Sequence, residues 1–280
     1  MIRHVSLRRE DFDLHYRVYG SGTPILLLSG GPGFDCDYMI PVAQEVAKER
    51  QAVLVELRGT GRSIPPVIDA STINAAKMVG DLEALRESLR QERWSVLGHS
   101  AGAVLAMHYA VRHPQRIAPL VLANSGPITH ASVAAQMDNV LCRLAPEERD
   151  ALKKTPPDNL ARMLQILLPA FFFDRAAMPA IENELGGQHL HPDVSRLIGA
   201  DMMGPGTDLR PQLKDFAAPV LIVAGRQDPL DPVIQEEIHQ ALKNSSVRLL
   251  DRCGHYAWIE QPAEFYSTVR EFLRGAEAGA

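Results

Sequence analysis

The chain has 280 residues, 46 % of them hydrophobic and 22 % charged, with a formal net charge of −5. That is enough apolar material for one large domain, or one domain carrying an insertion, and it excludes a disordered chain. Lys and Arg are scattered rather than clustered, which argues against nucleic acid as a partner. Residues 1–10 carry charge but no apolar signal region, and no later stretch is long and apolar enough to span a bilayer. The expectation is therefore a soluble, cytoplasmic protein with no membrane partner.

In chain order, residues 12–18 alternate and end at Gly20-Ser21-Gly22, which predicts a strand and turn at a sheet edge. From Pro24 the pattern changes to short runs that are apolar on successive positions: 25–28, 52–55, 94–97, 120–122, 220–223 and 247–250. Strands buried on both faces look like this, and they imply a parallel sheet covered by helices. Residues 81–89 place Leu82, Leu85 and Leu89 on one helical stripe with charges elsewhere. The alternation of strands and helices predicts an α/β, doubly wound, mostly parallel sheet, whose active site gathers at the carboxyl ends of its strands.

Residues 127–211 break that alternation. They carry Ala- and Leu-rich helical segments and several prolines but no strand pattern, so they are read as a helical cap inserted into a core of residues 1–126 and 212–280. Phe171-Phe172-Phe173 is expected to pack between cap and core, with Phe172 as the candidate pocket wall. The three cysteines, Cys36, Cys142 and Cys253, lack a CxxC spacing and are expected to be reduced residues of the core or cleft.

The chemistry concentrates at three strand ends. Gly98-His99-Ser100-Ala101-Gly102 lies between the run 94–97 and a helical pattern over 103–113, the setting of a nucleophile elbow that lifts a serine hydroxyl clear of a sheet. A chance GxSxG in a Gly-rich loop would lack that strand and helix. Asp228 follows the run 220–223 in Arg226-Gln227-Asp228-Pro229, and His255 follows 247–250 in Cys253-Gly254-His255. A serine needs a base, and the base needs an orienting acid. The assignment is Ser100 as nucleophile, His255 as base and Asp228 as acid, with Asp231 as the rival acid. Ser29-Gly30-Gly31-Pro32-Gly33 follows the first parallel strand and is read as the oxyanion loop, its donors being the amides of Gly31 and Ala101, with Gly30 as a substrate contact. His99 reads as a buried orienting residue, and Gly59-Thr60-Gly61 as a tight structural loop. His189-Leu190-His191 lacks a third ligand, so no metal is assigned, and no cofactor is expected.

Several of these motifs together resemble the prolyl iminopeptidases and their relatives among the α/β-hydrolases. They are Gly30-Gly31-Pro32-Gly33, Arg58-Gly59-Thr60-Gly61-Arg62-Ser63, the run Asp81 to Arg86, the elbow followed by His113-Pro114, and Gly254-His255. The resemblance covers residues 12–128 and 218 onward. It implies an α/β-hydrolase fold and a serine hydrolase acting through an acyl-enzyme, cleaving an N-terminal residue amide or small ester of a small molecule or short peptide. It also implies cap carboxylates for the substrate amine, for which Glu182 and Glu184 are the candidates. Two departures bear on substrate. Ser29 stands where the family usually has histidine, and the elbow Gly-His-Ser-Ala-Gly is similar to esterases, lactonases and carbon–carbon bond hydrolases. The alternatives are therefore such a hydrolase on a small apolar acyl substrate, or a ligand-binding protein that kept the fold without the chemistry. The intact Ser, Asp and His set argues against the latter.

Overall fold

The apolar runs become strands of one sheet: β1 (Ile2–Arg8), β2 (Asp13–Gly20), β3 (Pro24–Leu28), β4 (Gln51–Val55), β5 (Trp94–His99), β6 (Ile117–Ala123), β7 (Val220–Gly225) and β8 (Ser245–Leu250). They come from a computed structural model that describes residues 2–31, 33–156, 159–181, 191–230 and 232–278. The order across the sheet is β1-β2-β4-β3-β5-β6-β7-β8. β2 runs antiparallel to β1 and β4, and every other pairing is parallel.

The described helices, in chain order, are α1 (Ile40–Val46), α2 (Ala75–Ser88), α3 (Ala101–Arg112), α4 (His130–Arg143), α5 (Pro146–Lys154), α6 (Leu160–Leu167), α7 (Pro192–Met203), α8 (Arg210–Leu213), α9 (Pro232–Ala241), α10 (Ala257–Glu260) and α11 (Pro262–Ala278). Side chains alternate across a strand, so successive apolar residues serve opposite layers. Leu26, Leu28, Val96, Leu120 and Ile222 pack with α2, α3 and α9, while Ile25, Leu27, Leu97, Val121 and Val223 pack with α1 and α11. This double coverage is why the central strands read as continuous apolar runs.

The sheet edges depart from the expectation. β1 was not foreseen in the sequence, because most of its residues face solvent and it carries Arg3, His4 and Arg8. Its pairing places β2 one strand in from the edge. At the other edge, β8 alternates half-buried and exposed positions up to its buried last residue, Leu250, rather than being buried on both faces, since α11 and α9 only partly cover an end strand. Among the cysteines, Cys36 and Cys253 are buried but Cys142 is exposed on α4, a correction to its placement in core or cleft.

Two of the resembling motifs meet each other rather than the site. Arg58 makes a two-pronged bond to Asp81, Nε to Oδ2 at 2.7 Å and an η nitrogen to Oδ1 at 2.9 Å, and Arg9 adds a third bond to Asp81 at 2.8 Å. Thr60 Oγ1 donates to the Leu57 carbonyl at 2.8 Å and tightens the Gly59-Thr60-Gly61 loop.

Between β6 and β7 the helices α4 to α8 leave the sheet and rejoin it. Val194, Ile198 and Met202 of α7 and Leu213 of α8 enter the same apolar layer as α2 and α3. An isolated bridge between Thr129 and Asp208 ties the two ends of this excursion together. β3 is flanked by β4 on one side and β5 on the other, so the chain reverses direction across the sheet there. The crevice beyond the carboxyl ends of β3 and β5 is where a parallel sheet of this kind opens to a ligand.

Candidate active site

Ser100 sits in that crevice, immediately after β5 and at the start of α3, with φ 56° and ψ −122°. A non-glycine residue held there costs on the order of 1–3 kcal/mol, which the surroundings must enforce. They do so by close approach: a Cβ on Gly98 would come within 2.4 Å of the Gly102 carbonyl oxygen, and one on Gly102 within 2.4 Å of the Leu28 and Ser29 oxygens. The Ser100 amide donates to the Ala123 oxygen at 3.0 Å, pinning the turn to β6. The Ala101 amide is the first of α3 and has no partner within the helix, so it is free to serve a ligand at the positive end of the helix dipole.

Across the crevice, Gly31 takes φ +60° and its carbonyl closes a turn with the Phe34 amide at 2.9 Å. The Gly30 amide is already engaged, donating to Tyr38 Oη, which leaves Gly31 as the loop amide beside the cavity.

Asp228 lies just past β7 and is buried, and its carboxylate has three donors among the described residues. Oδ2 accepts from His255 Nδ1 at 2.9 Å and from Asn124 Nδ2 at 2.7 Å, and Oδ1 accepts from the Leu230 amide at 2.9 Å. A carboxylate accepts, so the hydrogen of a neutral His255 sits on Nδ1 and the Nε2 lone pair is left able to accept a proton. Asn124, fully buried with φ 47°, also donates to the Gly254 oxygen at 3.0 Å, joining β6, the acid and the histidine turn.

The histidine turn is held from the β6–β7 segment as well. The His255 amide donates to the Phe171 oxygen at 2.7 Å. Glu260 of α10 accepts from the Gly254 amide at 2.6 Å and from the amides of Phe173 and Asp174 at 2.8 and 2.9 Å. Burial pushes its carboxyl above the usual range, partly opposed by those three amides. His99 is buried, and burial, then the neighbouring His255, holds it neutral, far below an ordinary imidazole.

Ser100 and His255 open onto one cavity of about 270 Å³. Its floor is Gly31, Tyr38, His99, Ser100, His255 and Tyr256, and its roof is Gln136 and Met137 from α4, Leu164 and Gln165 from α6, Phe171, and Ser195 from α7. No Asp, Glu, Lys or Arg among the described residues lines it.

Of the residues singled out in the sequence, Ser100, His255 and Gly31 face this cavity, Asp228 stands behind His255, and Ala101 lies beside it at a smaller adjoining pocket. Phe172 does not face it. The chain is extended there, so neighbouring side chains point opposite ways: Phe171 lines the cavity, while Phe172 stacks on Tyr256 with ring centroids 5.0 Å apart. Gly30 is set back from the cavity, its amide satisfied by Tyr38. Glu182, Glu184, His189, Leu190 and Asp231 lie outside the described residues.

The sequence matches the family described as "alpha/beta hydrolase fold" over residues 23–262. The chain belongs to the α/β-hydrolase family. This hydrolase is 24 % identical over 271 residues to a proline iminopeptidase of Heyndrickxia coagulans, covering 91 % of each chain. It is 29 % identical to a 2-hydroxy-6-oxononadienedioate/2-hydroxy-6-oxononatrienedioate hydrolase of Paraburkholderia xenovorans, covering 94 % of this chain and 91 % of that one. Among solved structures it superposes on a proline iminopeptidase-related protein of Thermus thermophilus with a TM-score of 0.81 at 24 % identity, covering 98 % of both chains. A proline iminopeptidase of Mycobacterium smegmatis gives 0.76 at 22 % identity, covering 99 % of both.

Sequence reasoning missed three residues that build the hydrolase's site. Asn124 lies one residue past the run 120–122, at a strand's carboxyl end, a local signal like the one that marked Asp228. Glu260 and Tyr38 carry no comparable signal, because their partners are set only by the tertiary fold.

Proposed function

We propose that the protein is a serine hydrolase acting through an acyl-enzyme on a small, uncharged, apolar acyl compound, an ester or lactone being the class that fits best. The observation that carries this is the single cavity shared by Ser100 and His255, whose described walls bear no charged side chain. His255 Nε2 takes the proton of Ser100 Oγ as the oxygen attacks the acyl carbon, and the resulting imidazolium is stabilised by Asp228. The carbonyl oxygen gains charge opposite the amides of Gly31 and Ala101, then collapses as His255 gives the proton to the leaving alkoxide. Water, deprotonated by the same imidazole, releases the acid. Residues 127–211 act as the cap that shapes the acyl pocket through Met137, Leu164 and Phe171.

A proline iminopeptidase activity is the second reading, supported by the relatives of that name and by the sequence motifs. It requires carboxylates at the cavity for the substrate's free ammonium, a role open to Glu182 and Glu184. The dicarboxylate named for the other relative would need cationic side chains, and no Lys or Arg among the described residues lines the cavity. The deciding experiment assays purified protein on p-nitrophenyl butyrate and on proline p-nitroanilide, with the Ser100→Ala variant as control. Serine-dependent turnover of the ester with none of the anilide supports the proposal. The reverse preference establishes the second reading, and ester turnover surviving Ser100→Ala refutes both.

A further inference from the structure

We propose that Tyr38 and His99 are positioning residues that tie the oxyanion loop to the backbone of the base, so that the two halves of the catalytic centre keep one spacing. The inference rests on the serine hydrolase reading above and names residues that reading does not use. Its basis is a continuous chain of hydrogen bonds through the floor of the cavity. The Gly30 amide donates to Tyr38 Oη, Tyr38 Oη lies 2.9 Å from His99 Nδ1, and His99 Nε2 lies 3.0 Å from the His255 carbonyl oxygen.

The chain has only one consistent direction. A main-chain carbonyl can only accept, so His99 carries its hydrogen on Nε2. Its burial keeps the ring neutral, which leaves Nδ1 as an acceptor. Tyr38 therefore donates its hydroxyl hydrogen to Nδ1 and accepts from the Gly30 amide, and every group between the loop and the base is satisfied. Both side chains are buried, with Tyr38 and His99 each about 2 % exposed.

The consequence falls on the neighbouring atoms. The Ser29–Gly30 and Gly30–Gly31 peptide planes meet at the Gly30 Cα, so fixing the Gly30 amide anchors one end of the peptide whose Gly31 amide meets the developing oxyanion. Ser29, at the head of the same loop, offers no such support: its hydroxyl is buried without a hydrogen-bond partner among the described residues. His99 immediately precedes Ser100, and its ring lies 4.6 Å from that of His255, so loop, nucleophile and base are referred to one rigid group. Misplacing an oxyanion donor weakens transition-state binding far more than substrate binding.

The test begins with fluorophosphonate labelling of the wild type and of Ser100→Ala. No labelling of the wild type, or labelling that survives Ser100→Ala, overturns the hydrolase reading and this inference with it. Given serine-dependent labelling, Tyr38→Phe keeps the ring and removes only the hydroxyl. The expected result is a kcat for p-nitrophenyl butyrate lowered by about tenfold to a hundredfold, KM within about twofold, and a parallel fall in labelling rate. An unchanged kcat, or a change confined to KM, overturns the inference while leaving the hydrolase reading intact. The inference is checked without any variant by nitrogen-15 NMR of His99 in the wild type. A neutral ring protonated at Nε2 supports the chain, and one protonated at Nδ1 overturns it.

Discussion

At the scale of single residues, the proposed centre is Ser100, His255 and Asp228, the last bonded to His255 Nδ1. Ser100→Ala or His255→Ala is expected to lower turnover by a factor on the order of 10⁴ or more without unfolding the protein, measured by steady-state kinetics beside circular dichroism. Retention of most of the rate would remove the assigned roles. Asp228→Asn should be similarly damaging because an amide can donate to Nδ1 and so favours the wrong tautomer. Asn124→Ala tests the support behind the acid. It removes two buried hydrogen bonds, one of them to a carboxylate, and should cost about 2–3 kcal/mol in urea unfolding together with a lower kcat. Equal stability to wild type would show that the side chain is dispensable. The proposed triad could be assigned from the sequence because each member lies at or a few residues past a strand's carboxyl end, so strictly local punctuation marks it. Asn124 shares that signal, whereas Tyr38 and Glu260 owe their roles to partners 61 residues and 86 to 87 residues away along the chain, respectively, a relation that periodicity does not encode.

At the scale of elements, the elbow depends on three backbones meeting. Gly102→Val is expected to destabilise the fold by on the order of 3 kcal/mol and to abolish serine labelling, since its side chain would collide with the main chain at the end of β3. A folded, labelled variant would contradict the account of why glycine stands there. The buried strands could be recognised in the sequence because a two-sided apolar environment leaves an unbroken apolar run. β1 could not, because an edge strand with one solvated face obeys no such rule, and the half-exposed alternation of β8 was likewise hidden by three apolar letters out of four in residues 247–250. The cap was recognisable as helical, but its inner wall was not. Which of two adjacent phenylalanines faces the cavity follows from one extended residue at 172, a matter of backbone angle rather than of composition.

At the scale of the whole molecule, stability and selectivity are both set by what burial does to polar groups. Burial, with a smaller contribution from Arg112, lowers the His108 imidazole from 6.5 to about 4. The unfolded chain therefore binds a proton that the folded chain refuses, and stability falls as pH drops from about 6.5 toward about 4. Urea melts at pH 7.5 and pH 5 should differ by about 2 kcal/mol from this residue alone, a difference that His108→Gln removes if the attribution is right. Glu260→Gln is expected to lower kcat on short esters and to flatten the preference among acyl chain lengths, read as kcat/KM across a homologous ester series; an unaltered preference would separate the two. The reason lies in the bracket formed by that one carboxylate, which grips the roof segment at Phe173 and Asp174 with one oxygen and the histidine turn at Gly254 with the other. A guest bulky enough to lift the ceiling must also tug the imidazole's backbone out of line. On the proposed mechanism, size is then judged by the proton-transfer apparatus itself, and a misfit guest disarms the centre it has entered.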